Sequence, residues 1–233
     1  MVVLPKEGEN YKIKGDDIQV VEITVREGEE VVAESGNLFY MSGNIQMEAK
    51  SGGNGFLSSL GKIVKRKLAG ESAFLTHFTG RGVVAFSSDK VGKIVAIRLE
   101  NDTIYAQKDA YLCSVGEIEL DIALQKKLSG GLFGGEGFIL EKISGNGIVF
   151  LSATGYLEIK ELQNETILVE TAKAVAWSEG IDYSIELVGD LKTAIFGDVG
   201  LFLTKLSGTG TVILQSVDFE KFKREILKDV KTE

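Results

Sequence analysis

Three features of the sequence predict an all-β fold built from three copies of one strand-rich unit. Glycine is abundant, at 28 residues, and recurs at the ends of Val/Ile/Leu/Phe runs, as expected of many short strands joined through residues of positive φ. Proline occurs once, and no polar or Pro/Ser-rich stretch divides the 233 residues, so a single domain over 1–233 is expected. Finally, one phrase recurs. Ser144-Gly145-Asn146-Gly147-Ile148-Val149-Phe150-Leu151-Ser152 is echoed 63 residues later as Ser207-Gly208-Thr209-Gly210-Thr211-Val212-Ile213-Leu214-Gln215, and 65 residues earlier as Thr79-Gly80-Arg81-Gly82-Val83-Val84-Ala85-Phe86-Ser87.

In each copy an apolar strand (74–78, 138–143 and 201–206) precedes the Gly-x-Gly and a β-rich run follows, a pattern that predicts a hairpin. A charged turn leading into a strand recurs as well, at Gly28-Glu29-Glu30-Val31, Asn101-Asp102-Thr103-Ile104 and Asn164-Glu165-Thr166-Ile167. These spacings divide the chain into repeats at approximately 20–88, 89–153 and 154–216. Because a lone pair of hairpins is marginal in water, the copies must share a hydrophobic interior. The expected architecture is therefore triplicated double-sheet β-sandwich units about a pseudo-threefold axis. In the third copy Ala172-Lys173-Ala174 stands where a glycine-containing turn is expected.

Two helical patterns interrupt the strands. Phe56, Leu57, Leu60, Ile63, Val64 and Leu68 fall at helical spacing with Lys62, Lys65, Arg66 and Lys67 clustered toward the end, which predicts a short inserted basic amphipathic helix. Such a helix suits either packing over a sheet opening or contact with anionic lipid and protein partners, for which Phe56, Leu60, Lys62, Lys65, Arg66 and Lys67 are the candidate residues. Phe219, Phe222, Ile226, Leu227 and Val230 predict a C-terminal helix within 217–233, packed on its own chain or on a neighbouring subunit.

Composition narrows the functions. With 26 basic and 34 acidic residues the chain carries a formal charge of −8, which argues against general affinity for nucleic acids. Cys113 is the single thiol, so neither an internal disulfide nor a cysteine zinc site is expected, in keeping with a reducing cytoplasm. Residues 1–17 carry acids and no apolar core of signal-peptide length, and no apolar run approaches the roughly 20 residues of a membrane span.

Candidate chemistry is sparse. His77, the sole histidine, lies in a strand pattern and is expected to serve packing and hydrogen bonding, and Cys113 reads as a small buried hydrophobe. Trp177, Tyr183, Tyr105, Tyr111 and Tyr156 are expected in core or cross-strand packing. The glycines at 52–53 and 130–135 lack the Lys-Ser/Thr of a phosphate loop. Glu71, Glu136 and Asp198 recur before each hairpin and form a speculative cation cluster if the copies close around an axis. No catalytic residue, cofactor or firm metal site is assigned.

Taken together, Tyr40-Met41-Ser42-Gly43, Gly70-Glu71-Ser72 with Phe74, Gln107-Lys108-Asp109-Ala110-Tyr111-Leu112, Ser144-Gly145-Asn146-Gly147 and Ser207-Gly208-Thr209-Gly210-Thr211-Val212 with Gln215 resemble the "altered inheritance of mitochondria twenty-four" family, over about Val20 to Ser216. That resemblance implies a prokaryotic member with a fold similar to the tryptophan RNA-binding attenuation protein, oligomerisation and no established enzymatic activity. The family's eukaryotic branch is associated with organisation of the mitochondrial inner membrane. The attenuator's RNA binding rests on repeated basic residues, which this acidic chain lacks outside 62–67, so RNA binding is not carried over. The expected function is a non-catalytic scaffold that self-associates as a homo-oligomer and binds a protein partner or a peripheral membrane surface. A small-ligand-binding protein or an unrecognised hydrolase is the alternative.

Overall fold

The computed structural model describes residues 10–34, 36–51, 74–107, 109–126, 138–187 and 202–227. The protein is mostly antiparallel β. Its strands are β1 (Tyr11–Lys14), β2 (Val20–Val25), β3 (Glu30–Glu34), β4 (Leu38–Ser51), β5 (Phe74–Ser87), β6 (Gly92–Gln107), β7 (Tyr111–Lys126), β8 (Phe138–Thr154), β9 (Leu157–Glu170), β10 (Ala174–Ser178), β11 (Ile181–Leu187) and β12 (Phe202–Gln215). One short C-terminal helix, α1 (Phe219–Leu227), follows. Hydrogen bonding joins the described strands into one sheet in the order β1-β2-β5-β3-β7-β8-β6-β10-β12-β9, with β4 added to β5 and β11 to β12.

The Gly-x-Gly phrases are not hairpin turns. Each lies in the middle of a long strand, in β5, β8 and β12, and the chain runs straight through it. The glycines are needed because a neighbouring backbone passes too close for a side chain. A Cβ on Gly80, Gly145 or Gly208 would sit 2.2, 2.0 or 2.3 Å from the carbonyl oxygen of Asn44, Glu117 or Gly180. Opposite these glycines stand isoleucines in matching register: Ile45↔Gly80, Ile118↔Gly145 and Ile181↔Gly208.

The charged turns fare differently from one another. Gly28, at φ +82°, makes a true turn between β2 and β3, whereas Asn101 (φ +59°) and Asn164 (φ +57°) sit at register shifts inside β6 and β9. Asparagine tolerates the left-handed region, so these two strands bulge and bend without breaking. A second register shift recurs between Leu38 and Tyr40, Tyr111 and Cys113, and Ala174 and Ala176. Gly36 (φ +98°) and Asp109 (φ +65°) supply positive φ just before the first two of these shifts. Alanine supplies it only at a cost, and at the corresponding place Thr171–Lys173 forms a single 3-10 turn instead.

The strands pair within local sets and also between them. Val31, Val32 and Ala33 of β3 face Val115, Ser114 and Cys113 of β7, and Ile104, Tyr105 and Ala106 of β6 face Ser178, Trp177 and Ala176 of β10. The cores follow these junctions. One cluster joins Tyr11, Val21, Ile23, Phe78 and Phe86 to Leu112 and Phe150, with Tyr11 edge-on to Phe150 at 4.9 Å and Phe78 edge-on to Phe86 at 5.3 Å. Another joins Ile97, Leu99, Ile104, Tyr111 and Leu151 to Val175 and Ile213.

Tyr111 holds the first junction polar-side as well. Its buried hydroxyl donates to the carbonyl of Val32 at 2.9 Å and lies 2.8 Å from the Ser114 hydroxyl. Desolvation pushes its ionisation well above the ordinary tyrosine value of 10.0, and burial likewise pushes up the Cys113 thiol. In the unfolded chain Tyr111 ionises near pH 10, while in the folded chain it stays protonated to higher pH. Stability is therefore complete below pH 10 and falls as pH rises from there toward the folded-state value. Tyr111→Phe is expected to lose about 1–3 kcal/mol at neutral pH, through the lost hydrogen bonds to the Val32 carbonyl and the Ser114 hydroxyl, and to show a shallower loss above pH 10. Urea unfolding at stepped pH checks both.

Among the expected packing aromatics Tyr156 is the exception. It lies in the turn after Gly155, between β8 and β9, 65% exposed, with its hydroxyl donating to Glu158 at 3.0 Å. A turn position has no sheet face to pack against.

Candidate functional site

The predicted acids Glu71, Glu136 and Asp198 fall in 52–73, 127–137 and 188–201, outside the described residues. So do Phe56, Leu60, Lys62, Lys65, Arg66 and Lys67, and the glycines of 130–135. Among the described residues no cluster of three or more His, Cys, Asp or Glu is placed to hold a metal ion.

His77 sits on β5 opposite Val32 and Glu48, and its Nδ1 lies 2.9 Å from Glu30 Oε1. The contact joins the imidazole of β5 to a carboxylate of the neighbouring β3. Cys113 is fully buried in the junction between β3 and β7. Two clefts flank this region. Tyr11, Ile23, Arg26, Arg98, Val115 and Ile148 line one of about 460 Å³, and Glu27, Glu29, Glu30, Asn44, Gln46 and Thr79 line an acidic one of about 290 Å³.

Sequence patterning missed the feature that stands out on the surface. β4 from Leu38 to Met47 contains no charged residue and exposes large apolar groups, Phe39 at 59%, Met41 at 43% and Met47 at 55%. Phe39 and Tyr40 meet edge-on at 5.5 Å. Tyr40 reaches across Ala85 of β5 to donate its hydroxyl to Glu22 of β2, which Lys14 of β1 also contacts at 2.5 Å. These bonds lower the Glu22 carboxyl below its usual range, the Lys14 contact acting most strongly, and raise the Tyr40 hydroxyl. They brace β4 from one side. The other side of β4 has no strand partner among the described residues. The signal was available in the sequence as a ten-residue strand pattern without a charge, at odds with how sheet edges are normally protected.

The helix gives a second apolar surface. In α1, Phe222, Ile226 and Leu227 are exposed, so three of the four described members of the stripe, expected to pack on its own chain or on a neighbouring subunit, lie in solvent. The structure is thus that of a long-stranded antiparallel β protein with an apolar strand, β4, that has no partner on one side among the described residues. No described helix is long and apolar enough to cross a membrane.

The particular family follows from comparison. The family model described as mitochondrial biogenesis AIM24 matches residues 11–217, and the chain belongs to that family. An uncharacterised protein of Streptococcus pyogenes serotype M6 is 29% identical over 210 residues, covering 87% of this chain and 83% of its own. The X-ray crystal structure of a Streptococcus pyogenes protein is similar at a TM-score of 0.74 and 25% identity, covering 94% of this chain and 97% of that one. These bacterial relatives mark a prokaryotic member.

Proposed function

We propose that the chain is a non-catalytic β scaffold of the cytoplasm that self-associates and holds a partner, with three equivalent units arranged in succession about a pseudo-threefold relation. The observation carrying the scaffold reading is the uncharged, apolar edge of β4, seconded by the exposed stripe of α1. Surfaces of this kind on a chain of net charge −8 are suited to protein contact. The threefold reading draws its support from the recurring Ile–Gly pairs, the recurring register shifts and the two like junctions. Membrane contact rests on the basic residues Lys62, Lys65, Arg66 and Lys67 of the sequence.

Native mass measurement is expected to find assemblies larger than the 25.2 kDa chain. Binding to phosphatidylserine vesicles is expected at low salt and to fade as salt rises. A chain that stays monomeric at every concentration removes the scaffold reading. Equal vesicle binding by a variant neutralised at 62, 65, 66 and 67 removes the membrane part. A small-ligand reading is favoured by one observation, the cleft that brings Arg26 and Arg98 beside Tyr11, and it predicts a melting shift with small anions.

A further inference from the structure

We infer that β9 of one chain adds to β4 of a second copy, antiparallel, with Ile167, Leu168 and Val169 opposite Ser42, Met41 and Tyr40. This rests on the self-association reading and names its surface. The register comes from the two junctions already made inside the chain. Val31↔Val115, Val32↔Ser114 and Ala33↔Cys113 correspond, position by position, to Ile104↔Ser178, Tyr105↔Trp177 and Ala106↔Ala176. The first members are 73 residues apart and the second members 63, the same spacings that separate the charged turns at Gly28, Asn101 and Asn164.

Carrying the first members forward by 63 from 104–106, and the second members back by 73 from 113–115, assigns 167–169 and 40–42 as the halves of a third junction. Both halves are present. Yet among the described residues β9 pairs only with β12 and β4 only with β5. Burial agrees with a missing partner. Val31, Ala33, Ile104 and Ala106 are fully buried, whereas Ile167 and Val169 are only half-buried and Leu168 is 54% exposed. Ser114 and Trp177 are buried where Met41 is 43% exposed.

The occupant is a second copy because both complementary edges are carried by this same chain. The edge of β1 bears Lys12 and Lys14 and that of β11 bears Asp182 and Glu186, charges that deter pairing, but 38–47 of β4 bears none. An edge left without such protection fits one that is covered in use. The contact is head-to-tail, so successive copies close into a ring or extend a row.

Disulfide trapping tests this, since Met41 and Leu168 stand directly opposite in the inferred register. Met41→Cys and Leu168→Cys are made separately in chains carrying tags of different length, mixed and oxidised; the native Cys113 is buried. The expected product is a mixed-tag dimer that reductant dissolves. Met41→Lys, at an exposed site, is expected to leave the melting profile intact and to weaken assembly by about tenfold or more in Kd. No link in the mixture, together with an intramolecular link in a chain that carries both Met41→Cys and Leu168→Cys, overturns the inference in favour of closure within one chain. Assemblies that persist while no link forms and Met41→Lys leaves the mass unchanged overturn this surface alone. A monomer at every concentration overturns the surface together with the self-association reading.

Discussion

Gly145→Val is expected to cost about 3 kcal/mol or more of stability, read as a melting temperature lowered by roughly 10 °C. Two independent penalties fall on this residue. Its φ of +131° lies where side chains are strained, and a Cβ there would meet the Glu117 carbonyl oxygen at 2.0 Å. That oxygen belongs to the backbone of β7, so no rotamer change relieves the clash. The strands β7 and β8 would have to part at the point where their register runs Gly116↔Gly147, Glu117↔Asn146 and Ile118↔Gly145. Gly28→Ala is the control. Gly28 also has a positive φ, +82°, but nothing lies within 4 Å of its would-be Cβ, so only the conformational cost of about 1 kcal/mol applies. Gly80→Val and Gly208→Val should fall with Gly145→Val, because their carbonyl contacts are alike. Thermal unfolding followed by circular dichroism checks the series. A Gly145→Val protein melting with Gly28→Ala would show that the close approach contributes nothing.

The glycine positions show how far the sequence was legible and where it stopped. Spacing alone picked out Gly80, Gly145 and Gly208 as equivalent, and they share one register. What they do was misjudged, since Gly-x-Gly between apolar runs fits a hairpin turn as well as a place where two backbones touch inside a strand. Only the partner strand separates these cases, and partner strands are distant in sequence. The same ambiguity covers Asn101 and Asn164, whose left-handed conformation serves a bulge here and a turn elsewhere. Phe39, Met41 and Leu168 were passed over for a related reason. Alternation and propensity place a residue in a strand, but whether that strand lies at an edge depends on the order of the sheet. The buried Cys113 and Tyr111 were easier, because each sits in an unbroken apolar run that must be covered on both faces.

Trp177→Ala carries the second large effect, an expected loss of about 3–5 kcal/mol. The indole is 1% exposed and lies on β10, with Tyr105 of β6 on one side and Val212 of β12 on the other. It packs against Tyr183 with ring centroids 5.3 Å apart, in a cluster with Leu140, Leu162, Ile181 and Leu206. Removing it empties the largest buried side chain among the described residues from the strand pairing, β10 with β6, that joins the last third of the chain to the middle. β10 contributes only five residues, so neighbouring side chains have little backbone freedom with which to close the cavity. Trp177→Phe should be much milder. Among the described residues no acceptor reaches the indole Nε1, so phenylalanine sacrifices volume without orphaning a hydrogen-bond partner. Because Trp177 is the sole tryptophan, its fluorescence in the parent reports this junction directly, and both variants are followed by circular dichroism. If β10 is the strand that locks the two parts together, parent fluorescence and circular dichroism will report one coincident transition, and Trp177→Ala will separate into two steps or melt far earlier. Equal melting of Trp177→Ala and Trp177→Phe would mean that the junction is held by its backbone hydrogen bonds alone.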